Sequence, residues 1–299
     1  MRLQPSDLPA YAAYVAARDD SNSADVLERL RQEVAEAKLD LSNVFVTFDP
    51  TGERVSGSVR IVVLGKDLVV LTAWRGDEGA GTYEAISELL AGATERAAEI
   101  KTQEMGTRVS LEGMTDAYRR ALRDAGFVFQ GRRVEYKTPV PELPDERSSR
   151  LTWTTMADVG EKTVLDLIRR ASAGTPDGMD VEAGISAIED VLGGSYDTLD
   201  PRAVELGALD GQAVGVLLTR VDVETGWSAI QFMGVVPEFR GRGLGTDVHL
   251  HGIGTIRALG GTVYQDGTSE ANSAMLHLFA KHGCIEHSRM EEWQWTPSA

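Results

Sequence analysis

The same succession of strand-like and helix-like segments runs twice along this chain, and that repetition limits its folds more than any single motif does. In the first half, VFVTFD (44–49), RVSGSVRIVVLG (54–65) and DLVVLTAW (67–74) alternate as three successive strands, and a helical pattern follows from Thr82 to about Lys101. In the second half, 151–155 and 203–207 are β-like, 214–223 and 228–236 are stronger strands, and a helix runs from about Leu244 to Leu259. A strand at 262–266, a helix from Asn272 to His282 and two short β-like pieces up to Trp295 complete it. Individual residues repeat as well. Gly79-Ala80-Gly81-Thr82 precedes the first long helix as Gly243-Leu244-Gly245-Thr246 precedes the second, Arg108–Leu111 matches Thr262–Gln265, and Ala125-Gly126-Phe127 matches His282-Gly283-Cys284. A duplicated α+β unit is the expectation.

At 299 residues the chain has room for two cores. The proline-rich run KTPVPELPDERSSR, ending at Arg150, reads as an extended, fairly stiff linker. The expected division is therefore a first domain at 1–140, a linker at 141–150 and a second domain at 151–299. The N-terminal run has no apolar stretch of signal-peptide length, and no segment approaches a membrane span, so a cytoplasmic location and no membrane partner are expected. Cys284 is the only cysteine, which excludes an intrachain disulfide and a cysteine-based metal cluster. Net charge is −16; the first 150 residues hold 20 basic and 25 acidic side chains, the remainder 10 and 21. The acidic excess lies in the second half and argues against a nucleic-acid partner.

Within that acidic half, Val235-Val236-Pro237-Glu238-Phe239 leads into Arg240-Gly241-Arg242-Gly243-Leu244-Gly245-Thr246 and then a helix. Glycines let backbone amides approach an anion, and the helix start adds the positive end of its dipole. Arg240 and Arg242 add charge. A Walker A loop is excluded because no lysine follows the glycines. The dinucleotide fingerprint fits Gly241 and Gly243, and Asp266 stands where its ribose-binding acid belongs. It fails because Thr246 occupies the third glycine position and too few βα units follow for a doubly wound sheet.

The run from Val235 to Gly245 resembles the signature of the GNAT acetyltransferases, Arg/Gln-x-x-Gly-x-Gly/Ala after a strand ending Val-x-Pro-Glu. Downstream, Asn272-Ser273-Ala274-Met275-Leu276-His277-Leu278-Phe279-Ala280-Lys281-His282-Gly283-Cys284 is similar to that family's Asn-x-x-Ala-x-x-Leu-Tyr-x-x-x-Gly-Phe. The resemblance covers most of 151–299 and extends through the order of elements to 1–138. It implies two tandem GNAT-like domains, each a mixed, mostly antiparallel twisted sheet flanked by helices, an arrangement similar to mycothiol synthase. It also implies acetyl-CoA, or another acyl-CoA, as co-substrate. Met233 and Val235 would bond its pantetheine through their main chain. Arg240, Gly241, Arg242, Gly243, Leu244, Gly245 and Thr246 would hold its diphosphate, and Asn272 and Phe279 would lie near its reactive end. The first-half counterpart, Arg75–Thr82, sets Asp77 and Glu78 beside the would-be phosphates, so that domain reads as a degenerate copy.

The resemblance also exposes a gap. Phe279 stands where many members carry the tyrosine that protonates the departing thiolate, and a phenyl ring gives no proton. His282 is the candidate replacement acid, with a helix C-terminal role competing. Asp266 is the candidate base for a protonated amine, against a turn role before Gly267. Residues 174–210 carry nine acids against Arg202 alone, a composition suited to a lid that draws in a cationic amine, either small molecule or peptide. His249 and His251, two apart on one helix, point to different sides, so no metal is expected. Gly252 and Gly254 suit that helix to close packing on the sheet. The function expected is N-acetyl transfer from CoA to a primary amine. The rival reading is a non-catalytic acyl-CoA-binding protein.

Overall fold

The computed structural model describes the chain except for Asp20 and residues 65–67, 75–81, 146–149, 176–202 and 298–299. It is an α+β structure that divides into two compact units, Met1–Gly131 with Met290–Ala299, and Arg132–Arg289.

In the first unit, strands β1 (Val44–Phe48), β2 (Val55–Leu64), β3 (Leu68–Trp74) and β4 (Glu104–Ser110) lie in that order. The last strand, β11 (Glu286–Trp295), pairs antiparallel with β4 through Met290–Trp295. β3 and β4 are parallel over Leu68–Leu71, and the other pairs are antiparallel. Alternation along β1 sends Val44 and Val46 to one core and Phe45 to the other. The first core is closed by helices α1 (Leu8–Asp19) and α2 (Ser23–Ala35), the second by α3 (Tyr83–Glu99) and α4 (Asp116–Asp124). Strands β1 to β3 and helix α3 fall within a residue or two of their expected positions. α1 and α2 were not anticipated, although Leu8, Tyr11, Ala12 and Val15 follow the helical period and are all buried.

The second unit orders its strands β5 (Val128–Pro139, from Arg132 on), β10 (Val263–Ser269), β9 (Trp227–Val235), β8 (Gln212–Val221), β7 (Val204–Leu209) and β6 (Thr152–Thr155). α6 (Glu161–Ser172), behind the short α5 (Met156–Val159), and α7 (Leu244–Ala258) and α8 (Ser273–Lys281) bury their apolar stripes in its core. α6 was not anticipated. The proline-rich run differs from its expected form: Val140 and Leu143 are buried in this core, and Arg257 donates to the carbonyls of Val140, Leu143 and Pro144. The unit boundary accordingly falls at Gly131–Arg132 rather than within 141–150, because strand pairing and these contacts decide which core a segment joins.

Strand register also revises the internal repeat. The parallel pairs Leu68↔Glu104 and Trp227↔Val263 make 104–110 the counterpart of 263–269, five residues from the Arg108/Thr262 match drawn from the sequence. β10 continues through Asp266 and Gly267 to Ser269, so Asp266 sits inside a strand and not at a turn. A Cβ at Gly267 would lie 2.4 Å from a Glu135 carboxylate oxygen, so glycine there lets that side chain keep its position.

Candidate active site

β9 and β10 run parallel but pair only at Trp227↔Val263 and Tyr264↔Ser228; beyond that, β10 pairs with β5 alone and β9 with β8. The strands therefore part, leaving one edge of β9 without a strand partner among the described residues from Ala229 to Val235. Antiparallel pairing with β8 decides which groups face that gap. The amide of Val236 donates to the Val214 carbonyl (2.9 Å), so alternation turns the main-chain groups of Gly234 toward β8 and those of Met233 and Val235 away from it. The sequence-expected pair is thus the pair whose polar backbone lines the open edge.

The glycine loop follows at the end of β9. Gly241 and Gly243 have φ of 74° and 78°, the left-handed region that glycine enters without strain, and Gly243 is the N-cap of α7. The first amides of α7 have no carbonyl one turn behind them and present a partial positive charge. The arginines act in a manner the motif did not reveal. Arg240 Nε donates to the Val235 carbonyl (2.9 Å) and an Nη to the Ala171 carbonyl (2.8 Å). Arg242 donates to the Glu238 carbonyl (3.2 Å) with its guanidinium 4.7 Å from the Phe239 ring centre. Both fasten the loop to its surroundings while keeping their charge beside it. Arg150 adds a third tie, donating to the Arg242 carbonyl (3.0 Å) and pairing with the buried carboxylate of Asp247 (2.9 Å). Lys281, at the end of α8, reaches the Thr246 hydroxyl (3.2 Å) and brings another cation to the same end.

The remaining expected residues separate into cleft and core. Asn272 is buried and caps α8, its Oδ1 accepting from the Met275 amide (3.2 Å). Leu244 sends its side chain into the core, so only its backbone belongs to the loop. Phe279 is fully buried, with its ring centre 4.4 Å from that of Tyr136 and 5.6 Å from that of His249. Its expected place beside the reactive end of a ligand is not found; an apolar ring on the inner face of α8 packs into the core instead. His282 is also buried, and its Nδ1 lies 2.6 Å from His249 Nδ1.

Asp266 stands on β10 just past the point where β9 departs. Its Oδ2 accepts from the Tyr264 hydroxyl (2.7 Å) and its Oδ1 from the Gly267 amide (2.7 Å). Burial pushes its carboxyl up to about 7; the Tyr264 and Gly267 hydrogen bonds and Arg133 oppose that rise, and Glu135 adds to it. A carboxyl balanced near neutrality is matched to accepting and returning a proton. Cys284 is driven to about 12 by burial and by Asp266, so it stays a thiol. Tyr264, His249, Lys281 and Arg150 were missed as site neighbours. Only Tyr264 had a readable signal, since residues two apart on a strand share a face. Of the acidic run at 174–210, residues 176–202 lie outside the described residues, as does most of the first-half loop.

His251 and His249 do face different ways: His251 Nε2 is 2.8 Å from Glu205 and its ring stacks on Trp153 at 3.9 Å. Among the described residues, no group of His, Cys, Asp or Glu side chains is arranged to hold a metal, and no helix is long and apolar enough to cross a membrane.

Residues 194–284 match the model of the Acetyltransferase (GNAT) family. Among solved structures, a GCN5-related N-acetyltransferase from Sphaerobacter thermophilus is similar over 100% of this chain and 96% of its own, with a TM-score of 0.68 and 16% identity. A GCN5-related N-acetyltransferase from Kribbella flavida is similar over 90% of this chain and 95% of its own, with a TM-score of 0.58 and 13% identity. A tandem GNAT protein from the clavulanic acid biosynthesis pathway is similar over 98% and 96%, with a TM-score of 0.55 and 14% identity. At these identities the likeness is one of fold. No curated protein matches the sequence.

Proposed function

We propose that this GNAT-superfamily protein transfers an acetyl group from acetyl-CoA directly to a primary, cationic amine of a small molecule or peptide. The observation that carries the reading is the β9 edge without a strand partner among the described residues, which offers the main-chain groups of Met233 and the amide of Val235, whose carbonyl accepts from Arg240, and runs straight into the glycine loop. That geometry fits a donor with a long amide-bearing arm and a diphosphate. The arm's amides would pair with the strand edge, as an added strand does. The diphosphate would meet the loop amides and the first turn of α7, with Arg240, Arg242 and Lys281 close by.

The bound donor supplies an activated thioester carbon. Asp266 then performs the proton work: it takes one proton from the ammonium, freeing the lone pair that attacks, and the second proton, lost from nitrogen once the C–N bond has formed, passes to solvent. The C–S bond breaks and the sulfur leaves with the bonding pair. A thiol of ordinary pKa about 8.5 departs adequately as its anion near neutral pH, so the phenyl ring of Phe279 need not be replaced by an acid for turnover.

The test is release of free CoA thiol from acetyl-CoA over a panel of polyamines, amino sugars and peptide N-termini. Turnover of at least one amine, lowered about 10²–10⁴-fold by Asp266→Asn, is the expected result. Tight CoA binding with no thiol release across the panel would assign the chain to the non-catalytic, acyl-CoA-binding class instead.

A further inference from the structure

Asp266 is the outer end of a buried chain of hydrogen bonds that the reaction as described does not use. From Asp266 Oδ2 the chain passes to the Tyr264 hydroxyl (2.7 Å), to His249 Nε2 (3.1 Å), and from His249 Nδ1 to His282 Nδ1 (2.6 Å). It ends at His282 Nε2, which is buried and has no hydrogen-bond partner among the described residues. Tyr264 and His249 are fully buried and His282 is 4% exposed. Burial, reinforced by the neighbouring His282, lowers His249 to about 3, and burial followed by Lys281 lowers His282, so both imidazoles are neutral.

A neutral imidazole carries one N–H, which makes the chain directional. While Asp266 is ionised it can only accept, so the Tyr264 hydroxyl donates to it. The remaining lone pairs of Tyr264 then take the His249 Nε2–H. His249 Nδ1 is left bare and accepts the His282 Nδ1–H, and His282 Nε2 ends the chain without a hydrogen. Every donor points toward Asp266. The opposite pattern, with every donor pointing away, aims the Tyr264 hydroxyl hydrogen at His249 Nε2 and requires an extra proton on Asp266.

We propose that Tyr264, His249 and His282 are positioning residues for Asp266, a one-way hydrogen-bond chain that commits the Tyr264 hydroxyl to the carboxylate and thereby holds Asp266 ready as the base. The proposal rests on the reading of Asp266 as that base. His249 Nε2 is, among the described residues, the other acceptor that Tyr264 could choose, and its own hydrogen closes it, while His282 fixes the tautomer of His249 from two bonds away. Other groups facing Asp266 are Arg133, Glu135 and Tyr136 from β5 and Cys284 from the segment after α8. None belongs to the chain, so none accounts for an effect of changing it.

The experiment is a ¹³C titration of the Asp266 carboxyl in the full chain, assigned by its loss in Asp266→Asn, with kcat/KM against pH for an amine that turns over. Tyr264→Phe removes the donor and is expected to raise the carboxyl midpoint by about one pH unit, moving the acid limb of kcat/KM with it. His282→Leu lets His249 switch tautomer and capture the Tyr264 hydrogen, so it should give the same direction of shift without touching Asp266. The double variant should shift no further than the larger single one, because both break one chain. His249→Gln, whose amide can still donate to Tyr264, should stay near wild type.

A midpoint unmoved by both Tyr264→Phe and His282→Leu, or activity lowered equally at all pH values, would overturn the proposal. An acid limb that survives in Asp266→Asn would instead overturn the reading of Asp266 as base. Tyr264→Phe keeps the ring in place, so the test stands even where His282→Leu fails to fold.

Discussion

The two units solve one folding problem with different interiors. Matched at the first residue pair of each parallel ladder, Leu68↔Glu104 and Trp227↔Val263, Thr107 of the first unit corresponds to Asp266 of the second, and Met105 to Tyr264. Ala125, in the closing Ala-Gly-Phe, matches His282. The buried side of α3 is Ile86, Leu89, Leu90, Ala93 and Ala97, none of which titrates, and all five histidines of the chain lie within Arg132–Arg289. Thr107 even leaves its buried hydroxyl without a partner among the described residues. The frame therefore folds without a buried histidine chain, its buried Glu291 being paired instead with Arg119 (3.1 Å), and the polar chain of the second unit answers to something other than folding. Removing one partner from such a chain leaves costly unpaired groups, whereas never having had it costs nothing.

The loop gives the largest test of that asymmetry. Valine at both Gly241 and Gly243 must enter left-handed backbone at roughly 1–2 kcal/mol per position, enough to weaken CoA binding by about 30- to 1,000-fold. Titration calorimetry should find one CoA per wild-type chain and the loss of that site in the double variant. A stoichiometry of two, with one site surviving, would end the division into a binding unit and a supporting one.

Acidification offers the next. His249 is held neutral, with its pKa down to about 3, so its contribution to stability is intact above the ordinary value near 6.5 and is lost as pH falls toward 3. Asp266 has the opposite sign: held near 7, its contribution is intact below about 3.8 and is lost as pH rises through 7. Between pH 5 and 6.5 the two oppose each other at up to about 1.4 kcal/mol per pH unit each. Asp266→Asn should therefore make the second unit less stable toward acid, and His249→Gln should make it more stable toward acid. Hydrogen exchange corrected for intrinsic rates reads the units separately, and the first unit should show neither slope. Equal slopes in both units would remove the histidine pair from the explanation.

How legible each unit was from sequence follows from the same contrast. Strong two-residue alternation in β1 to β3 and β8 to β9, and the glycine run before α7, are local signals, and they placed the frame and the loop. Main-chain exposure at Met233 and Val235 came from resemblance, and pairing with β8 supplies its physical reason. What was illegible depends on contacts distant in sequence. His249 and His282 are 33 residues apart and meet only because α7 and α8 pack together. Arg240 and Arg242 read as anion ligands, since no local pattern announces that a guanidinium will fasten to a carbonyl 69 residues away, as Arg240 does to Ala171. Phe279 was placed at the ligand because the motif gives its position and not the direction of its ring.

The smallest effect tests a device both units share. Each long helix presses one glycine onto its sheet: a Cβ on Gly92 would lie 2.5 Å from Phe45 Cδ1, and one on Gly252 would lie 2.8 Å from Ile230 Cδ1 and 3.0 Å from Leu217 Cδ1. Alanine at either site gains up to about 1 kcal/mol of helix propensity and loses about 1–3 kcal/mol to overpacking. Gly92→Ala meets a stiff aromatic ring and should lose more in chemical denaturation than Gly252→Ala, which meets the ends of aliphatic chains. Binding should rank the other way. Helix α7 carries the loop at its N-terminus, so any shift that relieves an added methyl at Gly252 moves the amides that face the donor, and CoA affinity should fall a few-fold. Helix α3 carries no such ligand in this reading. Weakened CoA binding in Gly92→Ala would show that the first unit takes part in holding the donor, which, like a stoichiometry of two, would make the two halves alike.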